Sequence, residues 1–185
     1  MNIEPTAISG LYVVSPEVKG DERGFLMEAY REDAFAAVGI TVGKFVQQNQ
    51  SFSRQGVVRG LHFQWDKPLG KLIRVINGKA FMVAVDIRKK STTLGRWFSL
   101  ELSAENKKSL YAPAGFACGF VVTGEVAEVE YLYTALYNPT GESNIIWNDP
   151  AVGIDWPIKD PILSARDKSA RVLAEWLKTP ESDIF

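Results

Sequence analysis

The chain has 185 residues, 46% hydrophobic and 23% charged, which suits one globular domain over residues 1–185 with a core of its own. Its formal net charge of -1 excludes a general nucleic-acid binder, although a few convergent arginines could still hold a small anion. A single cysteine excludes an internal disulfide, and a single histidine excludes a histidine-rich metal site; no HxH, HExxH or CxxC spacing suggests another.

The first residues, MNIEPTAISG, lack the basic and apolar stretches of a secretory leader. No run reaches the roughly 20 apolar residues of a membrane helix. Together with the lone thiol this predicts a soluble cytoplasmic protein with no membrane or nucleic-acid partner.

In chain order, Asp21-Glu22-Arg23-Gly24-Phe25 sets both charges at a glycine turn and reads as a solvated loop. Glu32 to Val38, followed by Gly39, predicts a short helix with a glycine stop. Gln47-Gln48-Asn49-Gln50-Ser51 is a run of neutral hydrogen-bonding side chains of a kind common in loops. In Arg59-Gly60-Leu61-His62-Phe63-Gln64, strand alternation sets Arg59 out of phase with His62 and puts His62 and Gln64 on one face. A lone histidine between Leu61 and Phe63 is ordinarily a packed or surface residue. A polar pair turned into a barrel interior, however, needs partners or a ligand.

From Lys71 to Arg88 the residues are rich in β-branched and aromatic types, and Asn77-Gly78 predicts a tight hairpin turn. Beyond it, Phe81, Val83, Val85 and Ile87 predict a strand with one buried face. Trp97 to Ser103 alternates again, with Phe98, Leu100 and Leu102 together. Val121-Val122 and Val126 to Tyr133 predict two more strands around Thr123-Gly124-Glu125. Tyr131 and Tyr133 share a strand face, where tyrosines usually pack but can also serve as a general acid or stack on a base or sugar ring. Asp167 to Lys178 predicts a terminal helix with Val172, Leu173, Trp176 and Leu177 on its apolar side. Many short strands with Gly/Pro turns predict an all-β antiparallel barrel or jelly roll, whose interior is a natural ligand cavity. Residue types and spacing go no further than a β-barrel with a candidate polar cavity.

Seven strings in order resemble the dTDP-4-dehydrorhamnose 3,5-epimerase family: DERGF (Asp21 to Phe25), RGLHFQ (Arg59 to Gln64), GKLIRVINGKAFMVAVDIR (Gly70 to Arg88), LSAEN (Leu102 to Asn106), YAPAGFACGF (Tyr111 to Phe120), NDPAVGIDWP (Asn148 to Pro157) and LSARD (Leu163 to Asp167). The resemblance implies a cupin-like double-stranded β-helix, or jelly roll, with a few short peripheral helices. It also implies a homodimer that works on a dTDP-linked 4-keto-6-deoxy sugar without metal or coenzyme. A ketone acidifies the hydrogens on both neighbouring carbons, so a base on one face and an acid on the other can invert them. By this resemblance His62 is the base and Asp167 the carboxylate that orients it. Tyr131 is the opposing proton donor, and Lys71 the cation near the ketone. Arg23, Arg59 and Arg166 become candidates for the diphosphate or nearby groups. Phe25 of DERGF, Glu28, Gln47 and Asn49 match positions at the nucleotide or sugar, Tyr137 matches the aromatic that stacks on the base, and Glu142 matches a polar contact.

Four positions depart from the family pattern. Cys118 stands where the family carries a histidine that contacts substrate, Gln48 where aspartate is common, Leu132 where lysine is frequent, and Arg166 where many relatives carry lysine. Three readings follow: inversion at carbons 3 and 5, inversion at one carbon of a related sugar nucleotide, or a barrel that binds a sugar nucleotide without catalysis.

Overall fold

The computed structural model describes residues 1–40 and 45–185. Its regular structure is mostly strand, with only short helices. In chain order come β1 (Asn2–Pro5), β2 (Tyr12–Ser15), β3 (Val18–Asp21), β4 (Gly24–Met27), helix α1 (Glu32–Ala37), β5 (Gln47–Arg54), β6 (Val58–Gln64), β7 (Lys71–Asp86), β8 (Trp97–Ser103), β9 (Ser109–Ala112), β10 (Phe116–Tyr133) and β11 (Glu142–Asn144), then the short helices α2 (Ala165–Lys168) and α3 (Leu173–Trp176). Among the described residues the main sheet runs β1-β2-β9-β7-β10-β6-β11, with β5 also on β10 and β8 also on β7. Strands β3 and β4 form a hairpin of their own, and DERGF, expected to be a solvated loop, is its exposed turn and second strand. No helix of the described residues is long and apolar enough to cross a membrane.

The two long strands shape the molecule. Asn77-Gly78, expected to reverse the chain, does not: β7 runs through it unbroken, and so does β10 through Thr123-Gly124-Glu125. The positive φ of Gly78, +72°, makes a bulge instead, facing a register shift in β10 between Val122 and Ala127. A Cβ at Gly78 would lie 1.9 Å from the Val126 carbonyl oxygen, so only glycine fits there. On one side of the bulge β7 pairs with β9, and on the other with β8, while β10 follows it along both. The sheet therefore folds over on itself rather than closing into a barrel.

Apolar side chains from both halves of β7 and β10 meet between the layers, among them Ile73, Met82, Phe116, Phe120 and Val129. The second half of β7 is buried on both faces, not one as alternation suggested. Ala80, Met82 and Ala84 face the interlayer core, while Val83, Val85 and Ile87 pack under the C-terminal segment with Leu173 and Trp176. Helix α1 ends as expected: Gly39 donates to the Ala36 carbonyl and Ile40 to that of Phe35, a Schellman closure with Gly39 at φ +79°. The expected helix over Asp167 to Lys178 breaks in two. Arg171 bridges to Ile145 beside β11, and the buried Asp149 accepts the Leu173 amide at 2.6 Å, starting a separate turn.

Candidate active site

A cavity of about 220 Å³ opens between the layers, and β5, β6, β7, β10 and β11 all contribute to its wall. Of the residues singled out from the sequence, it brings together His62, Lys71, Tyr131, Cys118, Arg59, Asn49 and Glu142. His62 sits in the middle of β6, with Cys118 of β10 directly opposite on one side and Asn144 of β11 on the other.

Arg59 and His62 were expected on opposite faces, yet both line the cavity. The ladder explains it: Cys118 pairs with His62 and Phe120 with Arg59, so three steps on β6 answer two on β10. This bulge inverts the phase of β6. It centres on Gly60 (φ +128°), where a Cβ would stand 2.5 Å from the Gly119 Cα. Gln64, expected beside His62, instead serves the loop after β10. Its amide donates to the carbonyls of Lys67 and Leu136 and its oxygen accepts the Asn138 amide.

The imidazole is held from behind. His62 Nε2–H donates to Asp167 Oδ1 at 2.6 Å, which leaves Nδ1 as the ring nitrogen with a free lone pair. Asp167 is 2% exposed, and Ser164 grips its other oxygen, donating from Oγ to Oδ2 at 2.8 Å while accepting the Asp167 amide at 3.1 Å. Burial raises the carboxyl's pKa, but the bonds to His62, Ser164 and Asn144 outweigh it, and the group stays below the usual carboxylate range. An ionised carboxylate thus stands behind the imidazole.

Lys71, 9% exposed, donates to the His62 carbonyl at 3.0 Å and so sets its ammonium beside the same strand. On the β10 wall the Tyr131 hydroxyl lies 3.2 Å from Ser51 Oγ. Burial pushes its pKa up to about 12, against the pull of Ser51 and Arg59, so the phenol holds its proton. Burial likewise pushes up the Cys118 thiol, which stays neutral. Arg59 is anchored by Ser53 Oγ at 2.9 Å and by the Phe52 carbonyl.

Around the mouth, Tyr137 donates to Glu142 Oε2 at 2.8 Å, and Arg166 reaches the same oxygen at 2.5 Å. Gln47 donates to Asn49 and accepts the Tyr137 amide, which ties this rim to β5. Arg23, Phe25 and Glu28 are elsewhere. They lie on or beside the β3–β4 hairpin, Arg23 paired with Asp21 and Glu28 with Arg31, and none lines the cavity of its own chain. One member of the site, Ser164, was not singled out from the sequence. Ser164 was detectable as the S-x-x-D spacing of a helix start, Ser164 to Asp167. Tyr133, on the Tyr131 face, also lines the cavity. Among the described residues no cluster of three or more His, Cys, Asp or Glu side chains is placed to hold a metal.

The sequence model described as dTDP-4-dehydrorhamnose 3,5-epimerase matches residues 5–175. The chain belongs to that epimerase family. A curated dTDP-4-dehydrorhamnose 3,5-epimerase from Methanothermobacter thermautotrophicus is 47% identical over 173 residues, 92% of this chain and 93% of the relative. A solved dTDP-6-deoxy-D-glucose-3,5-epimerase from Legionella pneumophila, in complex with dTDP-4-keto-L-rhamnose, is 42% identical with a TM-score of 0.92, covering 98% of this chain and 96% of that one. A dTDP-4-dehydrorhamnose 3-epimerase from Streptomyces niveus is 37% identical over 95% of this chain and 85% of its own length. The cupin-like jelly roll and the isomerase class expected from the epimerase strings are both borne out.

Proposed function

We propose that this epimerase inverts carbons 3 and 5 of a dTDP-linked 4-keto-6-deoxyhexose, with His62 as base and Tyr131 as the opposing acid. The observation that carries the reading is the His62–Asp167 contact of 2.6 Å, at a cavity whose β10 wall holds a protonated phenol. Nδ1 of His62 takes the proton from a carbon beside the ketone. Asp167 stabilises the imidazolium so formed. Lys71 lies near the carbonyl oxygen that becomes an enolate, and Tyr131 returns a proton to the opposite face. Arg59, held by Ser53, suits the diphosphate. Asn49, Glu142, Tyr137 and Arg166 suit the sugar and base at the mouth, and Gln47 orders them. No group in this scheme calls for a metal or coenzyme.

We further propose a cytoplasmic homodimer in which Arg23, Phe25 and Glu28 serve the site of the other subunit. The hairpin that carries them exposes apolar side chains, Phe25 at 56% and Leu26 at 75%, and a lone two-stranded hairpin is marginal in water.

A second reading, inversion at one carbon only, is favoured by Cys118, a weak donor directly opposite His62, and by the likeness to the Streptomyces 3-epimerase. Turnover of dTDP-4-keto-6-deoxyglucose in heavy water separates the two: label at carbons 3 and 5 supports double inversion, and label at one carbon supports the second reading. His62→Ala should lower turnover by at least about 10²-fold with dTDP affinity unchanged by calorimetry. Full activity in that variant would remove His62 from the role of base.

A further inference from the structure

The cavity holds a second phenol with no part in the mechanism above. Tyr133 follows Tyr131 by two residues on β10 and shares its face, the ring centres 6.1 Å apart. Directly opposite it across the ladder is Lys71, whose ammonium lies 6.0 Å from the Tyr133 ring centre. Burial, with Tyr131 and Glu142 nearby, raises the Tyr133 phenol above its ordinary range against a hydrogen bond with Asn49, so it keeps the proton it can donate. Two other side chains that line the cavity, Cys118 and Lys71, are a weak and an engaged donor. Cys118 carries a neutral thiol, a weak donor whose sulfur is 4.0 Å from the Phe116 carbonyl oxygen. The Lys71 ammonium already serves the His62 carbonyl.

We propose that Tyr133 donates a hydrogen bond to the carbon-4 oxygen of the keto sugar, and with Lys71 forms the donor pair that stabilises the enolate. The inference rests on the epimerase reading and deepens it. Fixed donors act most where charge develops during the reaction, and here that point is the ketone oxygen, whichever flanking carbon loses its proton. An ammonium is a point charge without directional preference, whereas a phenol on a strand offers one directed O–H. A cavity carrying cysteine at 118 depends on that phenol, and an imidazole at 118 would relieve the dependence.

The test uses the full-length protein, its Tyr133→Phe variant, and Tyr133→Phe combined with Cys118→His. Each is assayed for kcat and for solvent-deuterium exchange at carbons 3 and 5 of dTDP-4-keto-6-deoxyglucose, and for dTDP binding by calorimetry. Tyr133→Phe should lower kcat and slow every exchange seen in the wild type by about 10²-fold, with the Kd for dTDP unchanged. Adding Cys118→His should recover about tenfold of the loss. Wild-type exchange rates in Tyr133→Phe overturn the proposal and leave the epimerase reading standing. Weakened dTDP binding with kcat intact also overturns it, since Tyr133 would then only shape the nucleotide side. No recovery in the double variant overturns the link to Cys118. No exchange in the wild-type protein overturns the epimerase reading, and this inference with it.

Discussion

Asp167 is tied at both oxygens, Oδ1 by the imidazole of His62 and Oδ2 by the hydroxyl of Ser164, so its orientation toward the base is set by the cap of a four-residue helix. Ser164→Ala removes the cap, worth about 1 kcal/mol of stability, and one of the bonds that keep the carboxyl ionised. A carboxyl held below its ordinary 3.8 contributes stability that is full above that value and is lost as pH falls through the folded-state pKa. Without Ser164 the folded pKa moves back toward 3.8, so the carboxyl contributes less above that value and the weaker fold gives way at a higher pH. The expected result is an acid-unfolding midpoint shifted upward, a kcat lowered about tenfold and an unchanged KM, with Ser164→Thr retaining both properties. An unmoved acid midpoint with full kcat would leave Ser164 no part in orienting the pair. At this scale the family resemblance was a better guide to position than periodicity: it grouped His62, Lys71, Tyr131 and Asp167, which the fold brings to one cavity and its backing, whereas alternation put Arg59 on the wrong face. The bulge at Gly60 depends on how closely β10 approaches, which spacing along one strand does not reveal.

Strands β7 and β10 each contain a glycine signal read as a chain reversal, and each uses it as an irregularity facing the other. Gly78 lies opposite Ala127, and a Cβ at Gly124 would stand 3.0 Å from the Lys79 side chain. Local turn chemistry states that a positive φ is needed; only the partner strand decides whether the chain turns or bulges. The same limit explains the broken terminal helix, since the buried Asp149 that restarts it at Leu173 lies 24 residues upstream. The strands over residues 97–103 and helix α1, which depend on local periodicity and a glycine stop, were legible as they stand. Gly78→Ala combines a left-handed φ with a collision against the Val126 carbonyl, and should cost about 2–5 kcal/mol in urea denaturation. Gly39→Ala, at φ +79° with open space around it, should cost about 1 kcal/mol. Equal losses at the two sites would show that the β7 bulge relaxes freely.

The whole molecule leaves one part of the family's motif set stranded. The family resemblance points to Arg23, Phe25 and Glu28 as substrate-binding candidates, yet they stand on or beside an exposed hairpin rather than at the cavity of their own chain. A two-fold dimer resolves this if each hairpin completes the other subunit's site, because an isologous contact delivers the same residues in both directions. The consequence is testable by mixing two damaged chains. In a heterodimer of His62→Ala and Arg23→Ala subunits acting in trans, one site collects both lesions and the other collects neither. Random reassociation of equal amounts should then return about a quarter of wild-type kcat, from two preparations that are each nearly inactive. If Arg23 acted within its own chain, every site would keep one lesion and mixing would restore nothing. The lesions must be mixed under conditions that let subunits exchange, which sedimentation of a tagged and an untagged chain would verify. Verified exchange without recovered activity would place Arg23 outside the partner's site and remove the functional case for the dimer.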